Sequence, residues 1–329
     1  LEVIPPLPYL TFKSPSSFTL AVNDTTKHWN GTLEYSTDTS TWATWDGTTT
    51  ISSATSGGNN VLYLRGTGNT VITGNNINYK WVLTGSNVKC IGNIENLLDY
   101  ATVESGQHPT MAEEDCFGGL FMGCTALITP PALPATTLAN KCYYSMFEDC
   151  TSLTHAPALP ATTLADYCYD YMFSGCTSLT QLPALPATTL AKDCYNSMFQ
   201  GCTSLTQAPA LPATTLADYC YQYMFKGCTS LTQAPALPAT TLAVDCYQYM
   251  FRGCTSLAQA PALPATTLAE GCYSSMFSRC TNLTQAPALP ATTLADYCYQ
   301  YMFSDCTKIK LYTIQSGQYT QKYRNPPTR

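Results

Sequence analysis

The chain has 329 residues, with 15 Lys and Arg side chains against 21 Asp and Glu, which gives a formal charge of −6 at pH 7. Nucleic-acid grooves and binders of anionic membranes depend on clustered basic side chains, so this balance argues against both classes. Only 11% of the residues are charged, against roughly 25% in an ordinary soluble domain. No apolar run approaches the about 18 residues of a membrane span, so neither a membrane helix nor a signal peptide is expected within the sequence.

Residues 1–83 predict a small all-β sandwich. Short β-branched or aromatic runs alternate with Asn-Asp, Asp-Gly and Gly-Asn clusters, which supply the residues that turns need. The predicted strands are 18–22, 33–35, 42–45, 61–65, 71–73 and 79–83. The segment LEYSTDTSTWATWDG resembles a hairpin of bacterial and phage immunoglobulin-like or fibronectin-like modules. That resemblance implies core positions for Tyr35 and Trp42 and a spacer function.

Residues 84–115 are predicted to cap the repeats that follow. The stretch WVLTGSNVKCIGNIENLLDYA is typical of a strand, a turn and a short amphipathic helix, and Cys90 lies one repeat length before Cys116. A stacked array needs such a cover on its apolar end. At the other end, Lys308 and Lys310 on the last predicted strand would hinder edge pairing. The polar tail 315–329 is predicted to be frayed or a linker.

A 26-residue period organises residues 116–314, including a C-terminal cap. Cysteines recur in pairs with seven residues between the members. The first cysteines are Cys116, Cys142, Cys168, Cys194, Cys220, Cys246, Cys272 and Cys298, and the second cysteines are Cys124, Cys150, Cys176, Cys202, Cys228, Cys254, Cys280 and Cys306. Repeats of this length predict stacked units, because a single unit cannot bury its own apolar face.

Within one repeat, a short helix and a short strand are predicted. Cys194, Met198 and Cys202 share the spacing of one helix face, and Gly201 suits a helix end. Small and outward residues alternate through the following TQAPALP stretch, which is typical of a strand, and the next Ala-Thr-Thr marks a return bend. These elements predict a leucine-rich-repeat solenoid whose parallel strands stack about 4.8 Å apart.

The repeat also resembles a known family. The string C-Y-x-x-M-F-x-G-C-T-S-L-T-x-A-P-A-L-P is similar to the BspA-type (Treponema pallidum-type) leucine-rich repeat, I-G-x-x-A-F-x-x-C-x-x-L-x-x-I-x-L-P. The resemblance covers about residues 85–312, with Cys for Ile, Met for Ala and three residues inserted near the PALPATT bend. Repeat and resemblance together predict a right-handed α/β repeat solenoid with short strands and short helices. Its expected core columns are Phe147, Phe173, Phe199, Phe225, Phe251, Phe277 and Phe303, and Leu153, Leu179, Leu205, Leu231, Leu257 and Leu283.

The sequence leaves two states open for the 17 cysteines. A helix over 194–202 would place the Cα atoms of Cys194 and Cys202 about 12 Å apart, beyond the roughly 7 Å limit for a disulfide. This spacing favours reduced thiols that pack as small buried side chains. The regular doubling and an extracellular setting favour bridges instead. On the helical geometry, stacked thiols are the expectation and bridges the alternative.

No catalytic site, metal site or cofactor is expected. The three histidines, His28, His108 and His155, stand in different contexts, so no imidazole shares the cysteine period. A seven-residue spacing also differs from the closely spaced cysteine pairs of zinc sites. The chain is therefore predicted to be non-enzymatic.

Two repeated columns form the candidate binding surface. The strand side offers a nearly uniform neutral column: His155, Gln181, Gln207, Gln233, Gln259 and Gln285. A more variable column carries the tyrosines Tyr171, Tyr223, Tyr249 and Tyr301. Exposed tyrosines give large contact area at small entropic cost, as adhesive surfaces require. The alternative is that they only shield the helical layer.

The resemblance implies an extracellular or cell-surface adhesion module that binds protein or glycan on a host or neighbouring cell. Self-association is a further candidate, whereas nucleic acid and membrane insertion are not expected. A phage virion fibre or decoration protein, acting as a spacer or receptor binder, is the alternative. Ice binding is a remote one, because adjacent threonines of each LPATT motif would point to opposite sides of an extended chain.

Overall fold

In the computed structural model, an N-terminal β region is followed by a stack of coils. The structure describes residues 7–74, 79–111 and 113–309, together with the strand residues Leu311–Tyr312 and Lys322–Tyr323. One cluster of buried apolar side chains runs from Leu10 to Ile309. The β region and the coils therefore share a continuous core.

The N-terminal region consists of two sheets. Its elements are β1 (Leu10–Ser14), β2 (Thr19–Val22), β3 (Thr32–Ser36), β4 (Ala43–Trp45), β5 (Ile51–Ser52), β6 (Ala54–Ser56), β7 (Asn59–Thr67), β8 (Trp81–Leu83), β9 (Val88–Ile91) and helix α1 (Asn96–Glu104), and β10 (Leu127–Thr129) follows. One sheet has the order β10-β9-β1-β7-β3-β4, with β6 on β7, and the other is β5-β2-β8. The rings of Trp45 and Trp81, one from each sheet, lie 5.6 Å apart between them.

The structure departs from the predicted strands at four places. Strands β1, β5 and β6 were not predicted, and residues 71–73 form no strand because Ile72 N–H donates instead to the Cys116 carbonyl, at 2.8 Å. Trp42 is not a core residue: it is half-buried, with the Arg65 guanidinium 4.0 Å from its ring centre. Tyr35 is only partly buried. The buried ring is Trp45, which is 1% exposed at the inward position of β4.

The predicted boundary at residue 83 does not interrupt the packing. Strand β9 pairs with β1 on one side and, in parallel, with β10 of the first coil on the other. The expected strand and helix of the cap are β9 and α1, and Leu97 and Leu98 of α1 are fully buried. Gly66 on β7 lies so close to the Leu97 carbonyl that a Cβ would overlap it. The cap therefore belongs to both the β region and the stack.

Each coil contains a turn arc, which we define as the nine residues from its first to its second cysteine. In the arc 194–202, the even-numbered N–H groups donate to the carbonyl three residues earlier, at 3.0–3.4 Å. The odd-numbered N–H groups from Asp193 to Gly201 donate to the next coil, to the carbonyl 25 residues later, at 2.8–3.1 Å. Half of the amides thus close turns and half join the coils.

The predicted helix of the repeat is wrong. From Asp193, directly before the arc, every fourth residue has a positive φ: Asp193 (52°), Ser197 (52°) and Gly201 (73°). An α-helix requires negative φ and bonds to the fourth preceding carbonyl. The left-handed conformation costs a non-glycine residue roughly 1–2 kcal/mol. In a series of four-residue turns, as in a helix, residues four apart lie on the same face of the chain. Both structures therefore place buried apolar side chains at a spacing of four.

The predicted strand is reduced to isolated bridges in the proline-rich segment, which we define by the TQAPALPATT stretch of each coil. Parallel bridges join His155 to Gln181 and Gln207 to Gln233. The register is therefore parallel, as predicted, but proline has no N–H to donate and so prevents a continuous ladder. The right-handed winding stays a prediction.

Stacked side chains fill the interior of the coils. The phenylalanines from Phe147 to Phe277 and all six predicted leucines are fully buried, and Phe303, in the last described arc, is partly buried. Neighbouring phenylalanine rings lie 5.5–5.8 Å apart. A second column had not been predicted: Tyr143, Tyr169, Tyr195, Tyr221, Tyr247, Tyr273 and Tyr299, with ring centres 5.7–5.9 Å apart.

All 17 cysteines are buried and carry free thiols. Each second cysteine from Cys150 to Cys306 donates its S–H to a phenylalanine carbonyl of the preceding coil, at 2.9–3.2 Å. Within the described residues, the first cysteines from Cys142 onward make no such bond. Burial raises the pKa of Cys168 and Cys228 to about 12, so neither is a ready nucleophile. The helical distance that had argued against bridging no longer applies.

The two cysteine columns should respond oppositely to the same substitutions. At Cys202 we expect Ser to be more stable than Ala by about 0.5–1.5 kcal/mol, because the hydroxyl keeps the bond to the Phe173 carbonyl. At Cys194 we expect Ala to be more stable than Ser, since the buried hydroxyl gains no carbonyl acceptor. Denaturant unfolding of the four variants measures both differences. The same order at both positions would contradict this assignment.

Candidate binding surfaces

The predicted glutamine column lies along one side of the coils. Gln181, Gln207, Gln233, Gln259 and Gln285 are exposed and His155 is half-buried. The column follows the proline-rich segments, where Thr180 N–H donates to the Thr154 carbonyl of the preceding coil at 3.0 Å. Backbone contacts of this kind hold successive glutamines in register. The structure therefore brings this set together in one row.

A groove runs between two neighbouring proline-rich segments of this face. It has a volume of about 490 Å³ and is lined by Gln259, Pro261, Gln285 and Pro287 with the alanines between them. The TSLTQAPALPATTL stretches contain no charged residue. Both threonines of the following pair are exposed, as at Thr214 and Thr215. The face is thus neutral, ridged by rigid proline rings and repeated along the stack.

The predicted tyrosine column lies on the turn arcs instead. Tyr171, Tyr223, Tyr249 and Tyr301 occupy the middle left-handed position of their arcs, with φ of 53–57°. This backbone conformation directs the side chain outward from the stack. Tyr301 is 68% exposed, whereas the other three are half-buried. The two candidate sets therefore occupy different segments of each coil.

Cationic side chains accompany this column, and sequence reasoning had missed them. Lys226 Nζ lies 4.8 Å from the ring centre of Tyr223, and the Arg252 guanidinium lies 5.3 Å from that of Tyr249. The Tyr223 and Tyr249 rings are themselves stacked, with centres 4.8 Å apart. The sequence does show these cations. The residue after each Met-Phe pair varies between repeats, and successive repeats have Gln200, Lys226 and Arg252 there.

A ladder of polar side chains lies one residue before the tyrosine column. Asn196 Nδ2 donates to Gln222 Oε1 at 3.3 Å, and Gln222 Nε2 donates to Gln248 Oε1 at 2.6 Å. Asp170 occupies the equivalent position in an earlier coil, where one carboxylate oxygen is buried without a partner. Burial, followed by the charges of Asp193 and Glu148, raises the pKa of Asp170 to about 8.

The three histidines lie in separate contacts. His28 lies 2.7 Å from Asp24, His108 lies 2.7 Å from Glu95, and His155 contacts Thr154 at 3.3 Å. Across the described ranges, no three His, Cys, Asp or Glu side chains are grouped so that they could hold a metal ion. Among those same residues, no helix is long and apolar enough to cross a bilayer.

Asp170→Asn should remove a pH dependence of stability. Because the folded pKa, about 8, exceeds the unfolded value of 3.8, the stabilisation of the protonated carboxyl is fully present below about pH 4 and lost as the pH rises through about 8. We expect the free energy of unfolding of the variant to exceed that of the wild type by about 1–3 kcal/mol at high pH. Denaturant unfolding at low and high pH checks this, with the exposed Asp296→Asn as control. An equal effect of both substitutions would contradict the assignment.

Comparisons with known proteins identify the repeats. A family model described as BspA type leucine rich repeat region matches six copies, over residues 137–273 and 218–324. No curated protein and no solved structure matches the chain. The match spans more than half of the sequence and confirms the resemblance that the Phe, Cys and Leu positions had indicated. The chain therefore belongs to the BspA-type leucine-rich repeat family.

Proposed function

We propose that the chain is a non-enzymatic binding or adhesion module that acts outside the cell or at a cell surface. Its proline-rich face would hold a protein or glycan partner. The observation that carries this proposal is the exposed glutamine row, which repeats from coil to coil and borders a neutral groove between Gln259 and Gln285. Membership of a family of surface protein-binding repeats supports the same class of function.

The form of this face determines how it would bind. Proline rings are already ordered, so little conformational entropy is lost when a partner docks on them. Because each coil offers the same neutral row, a partner gains contacts in proportion to the number of coils that it covers. A partner suited to this face is itself repetitive or tolerant of register. The N-terminal sheets would act as a base for the stack and as a spacer.

Removing one whole coil should weaken attachment without unfolding the protein. Deletion of residues 194–219 takes out 26 residues and joins Asp193 to Cys220, so that an arc of the same length, 220–228, follows the preceding coil in the same register. We expect retention on collagen-coated beads to fall several-fold through lost multivalency. Retention should change little between about 50 mM and about 500 mM salt, since the face carries no charge to be screened.

The matched control is Gln207→Ala, which alters one side chain of the row and should leave retention unchanged. Circular dichroism and thermal unfolding verify that both variants are folded. If Gln207→Ala abolished retention while the coil deletion did not, a localised site would replace the distributed one.

A further inference from the structure

Between Tyr171 and Tyr301, the outward tyrosine column is interrupted by a serine at two places. Successive coils carry Tyr171, Ser197, Tyr223, Tyr249, Ser275 and Tyr301 at one equivalent position. The backbone is the same at each, since φ is 54° at Ser275 and 57° and 53° at the flanking tyrosines. The serine thus removes a ring from the column without changing the path of the chain.

The gap at Ser275 has the size of one ring. In the buried column directly behind it, Tyr247, Tyr273 and Tyr299 are separated by steps of 5.7 Å and 5.8 Å. Tyr249 and Tyr301 are likewise two coils apart, so a guest ring midway between them would lie within the 4.5–7 Å favoured by stacked rings. An open cavity of about 210 Å³ occupies this gap, and Ser275, only 4% exposed, lies among its lining residues.

The rim of this cavity is polar and carries cations. It includes Ser278 and Ser304 hydroxyls, the guanidinium groups of Arg252 and Arg279, and the Asp305 carboxylate. Arg279 Nε lies 3.7 Å from Asp305 Oδ2. Two guanidinium groups against one carboxylate leave a net positive charge at the edge of the gap, in a chain whose overall charge is −6.

We propose that this cavity, the Ser275 gap, binds a six-membered sugar ring that carries a carboxylate. The C–H faces of the sugar stack between the Tyr249 and Tyr301 rings, and its hydroxyls bond to the serine hydroxyls and to Asp305. The carboxylate pairs with Arg252 or Arg279, for which a guanidinium fork is the matching donor. An aromatic side chain would use the two ring faces but leave the hydroxyl-lined rim without partners, so the sugar fits better. The site lies on the turn arcs and is independent of the proline-rich face proposed above.

The second interruption of the column supplies a matched control. Ser197 lies between Tyr171 and Tyr223, but the arginine and aspartate found at 279 and 305 are replaced there by Gly201 and Gly227. Ser197 also bonds to its neighbour, with Oγ 2.8 Å from Asn196 Oδ1. This gap therefore lacks the guanidinium pair of the first.

The test is calorimetric titration of the full chain with two acidic sugars, a glucuronic acid oligosaccharide and sialyllactose. Neutral glucose oligosaccharide and lactose are the matched controls. Ser275→Tyr inserts a ring that the neighbouring coils already accommodate, so it should leave thermal unfolding unchanged and weaken acidic-sugar binding at least about tenfold. Ser197→Tyr should leave the affinity within about twofold. Arg252→Gln should reduce the preference for the acidic over the neutral sugar.

The two acidic sugars distinguish uronate from sialate as the source of the carboxylate. The proposal is overturned if neither acidic sugar binds, or if Ser275→Tyr binds them as tightly as the wild type. It is also overturned if a tyrosine-containing peptide binds more tightly than both sugars and Ser275→Tyr abolishes the binding of that peptide. Binding to the proline-rich face is tested separately, by bead retention of the coil-deletion variant. A negative result in the sugar titrations therefore leaves the proposed function intact.

Discussion

Backbone hydrogen bonds between successive turn arcs determine where every other group of the repeats lies. In the arc that begins at Cys194, together with Asp193 directly before it, five alternate N–H groups donate to carbonyls of the next coil. Such bonds require the donors to point along the stack, and a helix, which directs its N–H groups to its own carbonyls, cannot provide them. A positive φ occurs at every second of these donors, as at Ser197 and Gly201. The roughly 1–2 kcal/mol that each such non-glycine residue costs is offset by the bonds and the stacked packing.

The same register arranges the interior and the outer surface. Because equivalent residues lie directly above one another, the Phe and Tyr rings stack in buried columns, and each second cysteine reaches the carbonyl of the preceding coil. The Phe173 carbonyl thus accepts from both Cys176 N–H and the Cys202 thiol. This bond gives a physical reason for cysteine at that position. On the outside, the register produces the glutamine row and the tyrosine column with its two gaps.

The period and the family could be predicted from the sequence because they depend on residue identity at fixed spacings, such as Phe199, Cys202 and Leu205 in each repeat. The helix could not be distinguished from a series of turns, since both place Cys194 and Met198 on one face. The predicted strand of each repeat was too long. The alternation of small and outward residues indicated a hydrogen-bonded ladder, but Pro209 and Pro212 have no N–H to donate to one. Within the site, the glutamine row followed from repetition alone. The gap at Ser275 depends on its neighbours two coils apart and on Arg252 and Arg279, which only the stacked structure brings to one cavity.

Hydrogen exchange of the backbone amides tests the central role of the turn arcs most directly. Amides that open only with global unfolding exchange slowest, so the groups that hold the stack are identified by their protection. In the coil 194–219, we predict strong protection for the amides of the arc 194–202, which are hydrogen-bonded within or between coils. The amides of 210–213, for which the described structure shows no backbone hydrogen bond, should exchange fast. Slow exchange in 210–213 together with fast exchange in the arc would show that stacked strands hold the coils together, and would contradict this account.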